Sequence, residues 1–332
     1  MDLLVRSLTR DEVREAGGED IAAAVADVRA VLGLLREGHA EMPAETSVPL
    51  DMGAGDARVY ALLAGLAAPY DTAGVKWTAH RASSAGDPRI VSLTLINDRR
   101  SGLPLGIVES ASLTATRTAA VSAVALQNVA PTTPKRLALL GAGAQARAHL
   151  AMLAALFPDL TELRAWNRTP ARRDAMIARD LPWPVVRAAD LREAVEGSDA
   201  VIACTAATSP ILDAWAVRPG RIILQIGYDE ATFAAIDAST AIAVDLWGEF
   251  WRASAKSLFR MTRAGRFEPS RVSTDLAAAV HGGWRPKADD AMYFNSFGLN
   301  VFDVALATRV LREAAAKELG RLVPLLGTGR TR

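Results

Sequence analysis

The middle of the chain alternates short apolar runs with segments of helical periodicity. Leu137 to Leu140 are four apolar residues in succession, which is typical of a strand buried on both faces. After them, apolar residues from Ala148 to Leu156 recur at the spacing of one helix face. Further elements are predicted downstream, namely strands over 184–186, 199–205, 221–226 and 240–245 and a short helix over 191–195. Strands that alternate with helices predict a parallel sheet.

The first third of the chain has a different pattern. Two helices are predicted between residues 9 and 40, because Thr9 can begin a capping box, Asp20 can cap the second helix and Gly38 can end it. Short apolar runs separated by turn residues then predict an antiparallel sheet, with strands over 59–63, 73–78, 90–96 and 105–108. The polar segment 97–102 predicts a hairpin turn between the last two strands.

Two further helices complete the pattern. An Ala-rich helix is predicted over 111–128, and Pro131 and Pro134 after it mark a linker. The last apolar periodicity, over 300–318, predicts a long amphipathic helix that we expect to return to the N-terminal domain. The chain is thus predicted to be an α/β protein of two domains. A mainly antiparallel α/β domain over 1–130, completed by 300–332, precedes a parallel-sheet domain over 131–299.

Composition narrows the class of protein. With 38 basic and 37 acidic residues the net charge is +1, which gives no reason to expect a nucleic-acid or membrane partner. The one cysteine, Cys204, excludes an internal disulfide, and its apolar neighbours predict a buried, inert thiol. The four histidines show no metal-ligand spacing. The N-terminus lacks the apolar core of a signal peptide, and no apolar run approaches the roughly 18 residues of a membrane span. We therefore expect a cytoplasmic globular protein without a metal.

The turn after the strand at Leu137 to Leu140 has the form of a dinucleotide-binding fingerprint, Gly141-Ala-Gly143-Ala144-Gln145-Ala146. Gly141 permits a sharp turn, Gly143 lets the backbone approach a pyrophosphate, and Ala146 lets the helix pack close to the strand. The N-terminus of that helix, at Ala144 and Gln145, favours an anion. Because strand, turn, helix and second strand fall at the expected spacing, we predict a Rossmann-type domain with a nicotinamide cofactor.

The second strand of this domain ends about 20 residues after the glycines and is followed by Asn167, Arg168 and Thr169. A cofactor with a free ribose 2′-hydroxyl usually meets an acidic residue here, whereas Arg168 can pair with a 2′-phosphate. The triplet therefore favours NADP(H), with NAD(H) as the alternative cofactor. A different interpretation is a glycine-rich turn and a surface arginine in some other α/β protein.

Several segments, in order and across most of the chain, resemble the ornithine cyclodeaminase/mu-crystallin family. The most specific is Thr114-Ala-Thr-Arg117-Thr-Ala-Ala120. The others are Gly74-Val-Lys76-Trp77, the glycine turn, Trp166-Asn-Arg-Thr169 and Phe294-Asn-Ser296-Phe-Gly298 leading to Asp303. The resemblance implies that the N-terminal domain binds substrate and forms a homodimer through its sheet. It also implies an active site in the cleft between that domain and the nucleotide domain.

The resemblance assigns roles to particular residues. Lys76 matches the lysine that holds the substrate carboxylate, and Arg117 matches the arginine near the cofactor phosphates and the substrate. Asp229 matches the catalytic aspartate, and it follows a predicted strand, at the sheet edge where ligands of open α/β sheets bind. Thr205 and Ser296 match positions that contact the nicotinamide half of the cofactor. Without the family match, the lysine could equally lie on the surface, the arginine on a solvated helix face, and the aspartate could cap a turn.

Two departures from the family pattern argue against ornithine as the substrate. Glu45 stands where members that clamp an α-carboxylate often have a basic residue, and Phe233 replaces a lysine of the ornithine cyclodeaminases. Segments 77–98 and 265–290 look more like a branch whose enzymes oxidatively split an N-(amino-carboxyethyl)-glutamate. That reaction releases 2,3-diaminopropionate for siderophores or peptide antibiotics.

The implied activity is that of an NAD(P)-dependent oxidoreductase acting on the C–N bond of an amino acid or an N-substituted amino acid. Lys76 and Arg117 would hold the carboxylate and Asp229 would act as general base, while hydride transfer to the nicotinamide leaves an imine. Two alternatives are open: a cyclodeaminase that forms a cyclic amino acid, and an NADPH-dependent small-molecule binding protein like mu-crystallin.

Overall fold

The structure, a computed structural model, describes residues 3–50, 57–80, 90–248 and 254–325. The chain forms two compact units: unit 1 comprises Met1–Arg117 and Leu299–Arg332, and unit 2 comprises Thr118–Gly298. The first junction lies inside the helix Ala111–Val129, whereas the sequence pattern placed it after that helix, at residue 130. Residues 81–89, part of one segment that resembles the diaminopropionate branch, lie outside the described residues.

Unit 1 contains a mixed, mainly antiparallel sheet, as the sequence predicted. Its described strands are β1 (Leu4–Leu8), β2 (Ala40–Glu41), β3 (Thr46–Pro49), β4 (Arg58–Leu66), β5 (Thr72–His80), β6 (Ile90–Asp98), β7 (Pro104–Glu109) and β16 (Arg321–Pro324). Its described helices are α1 (Arg10–Glu15), α2 (Ile21–Arg36), the first part of α3 (Ala111–Val129) and α10 (Asn300–Ala316). The strand order is β16-β1-β7-β6-β5-β4-β2, with β3 also paired to β4. The β1–β7 pair is parallel and the other pairs are antiparallel.

Local sequence signals account for the ends of these elements. Thr9 forms a capping box with Glu12, and the Asp20 carboxylate accepts hydrogen bonds from two backbone N–H groups of α2, which confirms both predicted helix starts. Gly38 follows α2 with a φ of +73°, a conformation that ends a helix and favours glycine. The predicted hairpin turn is present, since Asp98 Oδ1 accepts from the backbone N–H of Ser101 at 2.7 Å.

Helix α10 belongs to unit 1, and it is more deeply buried than the predicted amphipathic helix. It packs against β4, β5 and α2, so that nearly every residue from Asn300 to Leu311 is buried. Its polar residues tolerate this burial because they find partners: Asn300 Nδ2 donates to the Leu62 carbonyl at 2.5 Å, and Thr308 and Thr72 share a hydrogen bond of 2.9 Å. None of the described helices is long and apolar enough to cross a membrane.

Unit 2 contains a parallel sheet, which confirms the predicted Rossmann-type fold. Its described strands are β8 (Arg136–Leu140), β9 (Glu162–Trp166), β10 (Val185–Arg187), β11 (Ala200–Ala203), β12 (Ile222–Gln225), β13 (Ala241–Val244), β14 (Val272–Asp275) and β15 (Met292–Asn295). Its described helices besides the end of α3 are α4 (Ala144–Leu156), α5 (Pro170–Ile177), α6 (Leu191–Glu196), α7 (Phe233–Ala238), α8 (Ser257–Arg263) and α9 (Leu276–His281). The strand order is β10-β9-β8-β11-β12-β15-β13-β14.

The strand order of unit 2 reverses between β8 and β11. The chain leaves β8 toward β9 and β10 on one side, and β11 and β12 lie on the other. In doubly wound sheets a ligand binds at such a switch point, outside the carboxyl ends of the strands. The residues that follow β8, β9, β11 and β12 are therefore the ones that the fold places at a ligand site.

Candidate functional site

The glycine turn after β8 has the geometry that a bound pyrophosphate requires. Gly141 has a φ of +113°, and a Cβ there would stand 2.4 Å from the carbonyl oxygen of Cys204, so no other residue fits. Gly143 is the N-cap of α4 and is exposed, and no described atom other than those of its chain neighbours lies within 4 Å of the place where its Cβ would be. Ala144 is exposed as well, whereas Ala146 is completely buried between helix and strand. The backbone N–H groups at the start of α4 are thus open to an anion.

These residues fit a dinucleotide cofactor on two observations. The open space at Gly143 leaves room for a phosphate against the backbone. The side chain of Gln145, in the first turn of α4, has a buried Oε1 atom with no hydrogen-bond partner within the described part of the chain. A buried polar atom without a partner is costly, and a ligand hydroxyl or amide could satisfy it.

The triplet after β9 lies beside this turn. The backbone N–H of Gly141 donates to the Trp166 carbonyl at 2.8 Å, which ties the end of β9 to the glycine turn. Asn167 donates from Nδ2 to the Thr169 carbonyl at 2.9 Å, and Arg168 is exposed. Thr169 is the N-cap of α5 without a side-chain capping bond. Arg168 therefore occupies the strand end where a cofactor ribose is usually recognised.

Asp229 follows β12, and its side-chain partners come from a distant part of the sequence. Its Oδ1 accepts a hydrogen bond from Ser257 Oγ at 3.2 Å, and its Oδ2 forms an ion pair with Arg260. Both partners belong to α8, 28 and 31 residues further along the chain. The Asp229 side chain is only 17% exposed, whereas that of Arg260 is 46% exposed. Sequence reasoning missed Ser257 and Arg260, because no local motif marks them.

The two predicted nicotinamide contacts also have partners in unit 2. Thr205 follows β11, and both its backbone N–H and its hydroxyl donate to Glu230, a completely buried carboxylate that sequence reasoning missed. Ser296 follows β15 and donates to Asp245 Oδ2 at 3.4 Å. Burial raises the pKa of Asp245, although backbone N–H groups of Gly298 and Phe297 donate to it. The contacts of Thr205 and Ser296 with a cofactor stay predictions.

In unit 1, Lys76 and Arg117 converge on one carboxylate. Lys76 Nζ donates to Asp303 Oδ1 at 2.9 Å, and Arg117 Nε lies 3.0 Å from Asp303 Oδ2. Thr114 Oγ1 also donates to Asp303 Oδ1, at 3.0 Å. The side chains of Lys76 and Arg117 are each 7% exposed and that of Asp303 is 1% exposed. A surface lysine and a solvated arginine, the alternatives left open by the sequence, are therefore wrong.

The charges of this cluster do not balance. Burial lowers the pKa of Lys76, and Asp303 opposes that shift. Burial would raise the pKa of Asp303, but Arg117 and Lys76 together lower it, so the carboxylate is ionised. Arg117 Nη1 is buried without a hydrogen-bond partner among the described residues, and Nε, although close to Asp303, is not aligned for a hydrogen bond. Lys76 and Arg117 share the one carboxylate of Asp303, and the buried Nη1 donor of Arg117 is left for a further anion.

Glu45 lies on the same face of the sheet as Lys76, one strand removed. Thr46 pairs with Ala61 of β4, which aligns Glu45 with Leu62, and Leu62 pairs with Lys76. Glu45 is half-buried, and burial raises its pKa while the charge of Lys76 lowers it. Glu45, which replaces the family's basic residue, therefore interacts electrostatically with Lys76, the cation that we expect to bind the substrate.

The parallel sheet of unit 2 and its glycine turn have the form of a dinucleotide-binding module, and unit 1 contains a buried pair of cations. The chain belongs to the ornithine cyclodeaminase/mu-crystallin family, whose family model matches residues 9–318. The resemblance inferred from the sequence is thereby confirmed.

Two curated relatives match almost the whole chain. The NAD(P)H-dependent anabolic L-arginine dehydrogenase DauB of Pseudomonas aeruginosa is 28% identical over 307 residues, which cover 90% of this chain and 96% of the relative. The N-((2S)-2-amino-2-carboxyethyl)-L-glutamate dehydrogenase of Staphylococcus aureus is 20% identical over 332 residues, covering 96% and 98%. Their names agree with the predicted class of amino-acid dehydrogenases.

Solved structures share the fold over its full length. The crystal structure of CmnK has a TM-score of 0.87 and 26% identity, and the match covers 98% of this chain and 100% of that one. An archaeal alanine dehydrogenase dimer with bound NAD has a TM-score of 0.84 at 23% identity, covering 97% and 100%. The second likeness supports the fold alone.

Proposed function

We propose that the chain is an NAD(P)-dependent oxidoreductase that acts on the C–N bond of an amino acid or an N-substituted amino acid. The observation that carries this proposal is the buried cluster of Lys76, Arg117 and Asp303. Its two buried cations and its unsatisfied Arg117 Nη1 donor match one substrate carboxylate. The relatives named above act, by their names, on amino acids or amino-acid derivatives.

The proposed roles follow from the chemistry of each side chain. Lys76 and Arg117 hold the substrate carboxylate, and Arg117 also contacts the cofactor phosphates. Asp229 removes a proton from the substrate amine, or from the water that attacks the imine, as a general base. Its contacts with Arg260 and Ser257 fix the orientation of the carboxylate. A bound nicotinamide cofactor supplies the hydride acceptor or donor.

The cofactor is held, in this proposal, by the strand ends of unit 2. Gly141, Gly143, Ala144 and Gln145 receive the pyrophosphate, and Thr205 and Ser296 contact the nicotinamide half. Asn167, Arg168 and Thr169 receive the adenosine ribose, and the exposed guanidinium of Arg168 favours NADP(H) over NAD(H). Since a nicotinamide cofactor is available in the cytoplasm and the one cysteine is free, a cytoplasmic location fits.

We further propose that the chain forms a homodimer through the outer face of its unit 1 sheet. Five apolar side chains on that face are 42% to 58% exposed, namely Val48, Leu63, Trp77, Val91 and Leu93. The strand register brings them together, since Trp77 pairs with Leu93 and with Ala61, and Val91 pairs with Ala79. A contiguous apolar patch of this kind on a sheet marks an interaction surface.

The test follows NAD(P)H absorbance with a panel of amino acids, N-carboxyalkyl amino acids and, in the reverse direction, cyclic and acyclic imines. Asp229→Asn is expected to abolish turnover and to leave cofactor binding nearly intact, because it removes the base but keeps the shape. Asp237→Asn is the matched control, an aspartate of the same unit that is paired with surface arginines. Normal turnover by Asp229→Asn would contradict the assigned role. Ammonia release without net cofactor reduction would indicate a cyclodeaminase instead.

A further inference from the structure

One buried carboxylate of unit 2 has no role in the activity proposed above. Glu230 follows Asp229 directly, and its side chain is completely buried. Its Oε1 atom accepts hydrogen bonds from Thr205 N at 2.5 Å and from Thr205 Oγ1 at 2.7 Å. Its Oε2 atom accepts from Gly227 N at 2.7 Å. A single carboxylate therefore joins the loop after β11 to the loop after β12.

The packing around this carboxylate is tight. A Cβ on Gly227 would stand 2.6 Å from Glu230 Cδ and 2.7 Å from the carbonyl oxygen of Thr205, so glycine is required there. The main chain of Glu230 is fixed as well, since its carbonyl accepts from Ile211 N at 2.9 Å and from Leu212 N at 2.8 Å. The backbone thus anchors the residue, and its side chain reaches the ends of two adjacent strands.

We propose that Glu230 is a positioning residue whose ionised carboxylate holds Thr205 and the segment that carries Asp229 in one fixed arrangement. The inference rests on the proposed function, in which Thr205 contacts the nicotinamide and Asp229 is the base. Oε1 already accepts from two donors, so a proton on that oxygen would face one of them, and a proton on Oε2 would weaken its acceptance from Gly227 N. The neutral acid therefore holds the two loops less firmly than the carboxylate.

Charged and titratable groups from several elements surround Glu230. Lys256, which is 6% exposed, lies across the same loop and donates from Nζ to the Ile226 carbonyl at 2.6 Å and to that of Gly227 at 3.1 Å. The charge of Glu230 adds to burial in raising the pKa values of Cys204 and Tyr293. Burial raises the pKa of Glu230 to about 7, while the bonds from Thr205 and Gly227 and the charge of Lys256 oppose that shift. Its charge state consequently changes near neutral pH.

The test compares Glu230→Gln with the parent chain and with Glu196→Gln, which alters an exposed glutamate of the same unit. Glutamine keeps the size of the side chain but turns an NH₂ group toward a donor. In the chain without cofactor, amide hydrogen exchange should accelerate at whichever of Thr205 and Gly227 faces the NH₂ group, about 5- to 150-fold, the equivalent of about 1–3 kcal/mol for an unmade buried hydrogen bond. The control should exchange like the parent.

Cofactor affinity gives a second measurement that does not depend on turnover. Fluorescence titration with NADPH and NADH is expected to show weaker binding by the parent chain below about pH 7, where the carboxylate is protonated. Glu230→Gln should bind weakly at every pH and lose the pH dependence. If both its exchange rates and its pH profile match those of the parent, the inference is wrong.

A second variant covers the case in which Glu230→Gln does not fold. Thr205→Val removes one of the three donors, a bond that lowers the pKa of Glu230, so the midpoint of the pH profile should move upward. An unmoved midpoint would overturn the inference. Failure of the proposed function has a separate signature: the parent chain would then show no NAD(P)H-linked turnover with the substrate panel, or Asp229→Asn would turn over normally. In that case, fast exchange and pH-independent binding in Glu230→Gln still support the positioning role.

Discussion

The buried cluster of unit 1 makes a quantitative prediction for Asp303→Asn. This substitution keeps the shape of the side chain but removes the anion that two buried cations share. Lys76 lies 2.9 Å from one oxygen, Arg117 lies 3.0 Å from the other, and the Asp303 side chain is 1% exposed. Removing one partner of a buried ion pair typically costs about 3–5 kcal/mol, because an uncompensated charge is left behind.

The loss should be visible in thermal unfolding. For a domain of about 150–250 residues, 1 kcal/mol corresponds to roughly 2–4 °C in Tm, so the variant should melt roughly 6–20 °C lower than the parent at neutral pH. Differential scanning calorimetry or circular dichroism measures this directly. Asp11→Asn is the matched control in unit 1, since the Asp11 side chain is 89% exposed and its loss should leave Tm unchanged.

The pH dependence of the same variant tests the cause. Asp303 raises the pKa of Lys76 against the larger effect of burial, which lowers it, so the variant's lysine has a still lower pKa. A lysine with a lowered pKa binds fewer protons in the folded chain than in the unfolded chain, so folding stability rises with pH up to its ordinary value of 10.5. This rise in stability is larger in Asp303→Asn than in the parent. The difference in Tm between the two proteins should therefore narrow as pH increases above neutrality. An equal Tm at neutral pH, or a difference independent of pH, would refute the buried charge cluster.

Two further substitutions test the cofactor and the dimer. Arg168→Ala should weaken NADPH binding about tenfold or more while changing NADH binding little, because only NADPH carries the 2′-phosphate; equal changes for both cofactors would contradict the assignment. Trp77→Glu should convert a dimer into a monomer in size-exclusion chromatography with light scattering, since it places a charge in the exposed apolar face. Leu322→Glu, on the opposite face of the same sheet, is its control, and an unchanged mass for Trp77→Glu would exclude that face as the interface.

Features that depend on local sequence are predictable from the order of residues alone. The glycine turn, the capping of α1 and α2, and the strands β5, β8 and β11 follow from residues close together in the chain. Short elements were missed, among them β14, β15 and α9. β14 has one apolar residue among four, and α9 begins with five apolar residues in succession, so neither has the alternation or the helical spacing that marks an element; β11, by contrast, is apolar throughout.

The charge partners were decided by the tertiary structure. Asp303 reaches Lys76 across 227 residues of sequence, and Arg260 reaches Asp229 across 31. Glu230 follows Asp229 directly, and an acidic pair after a buried strand is a signal that could have marked Glu230 as a candidate site residue. Its hydrogen bonds with Thr205 could not be predicted from the sequence. Hydrophobic periodicity indicates which side of an element is apolar, so the sequence by itself determined the strands and helices with a clear pattern, and the cofactor turn. Only folding brings distant elements together, and their packing alone decides which buried charge is neutralised and which is left for a ligand.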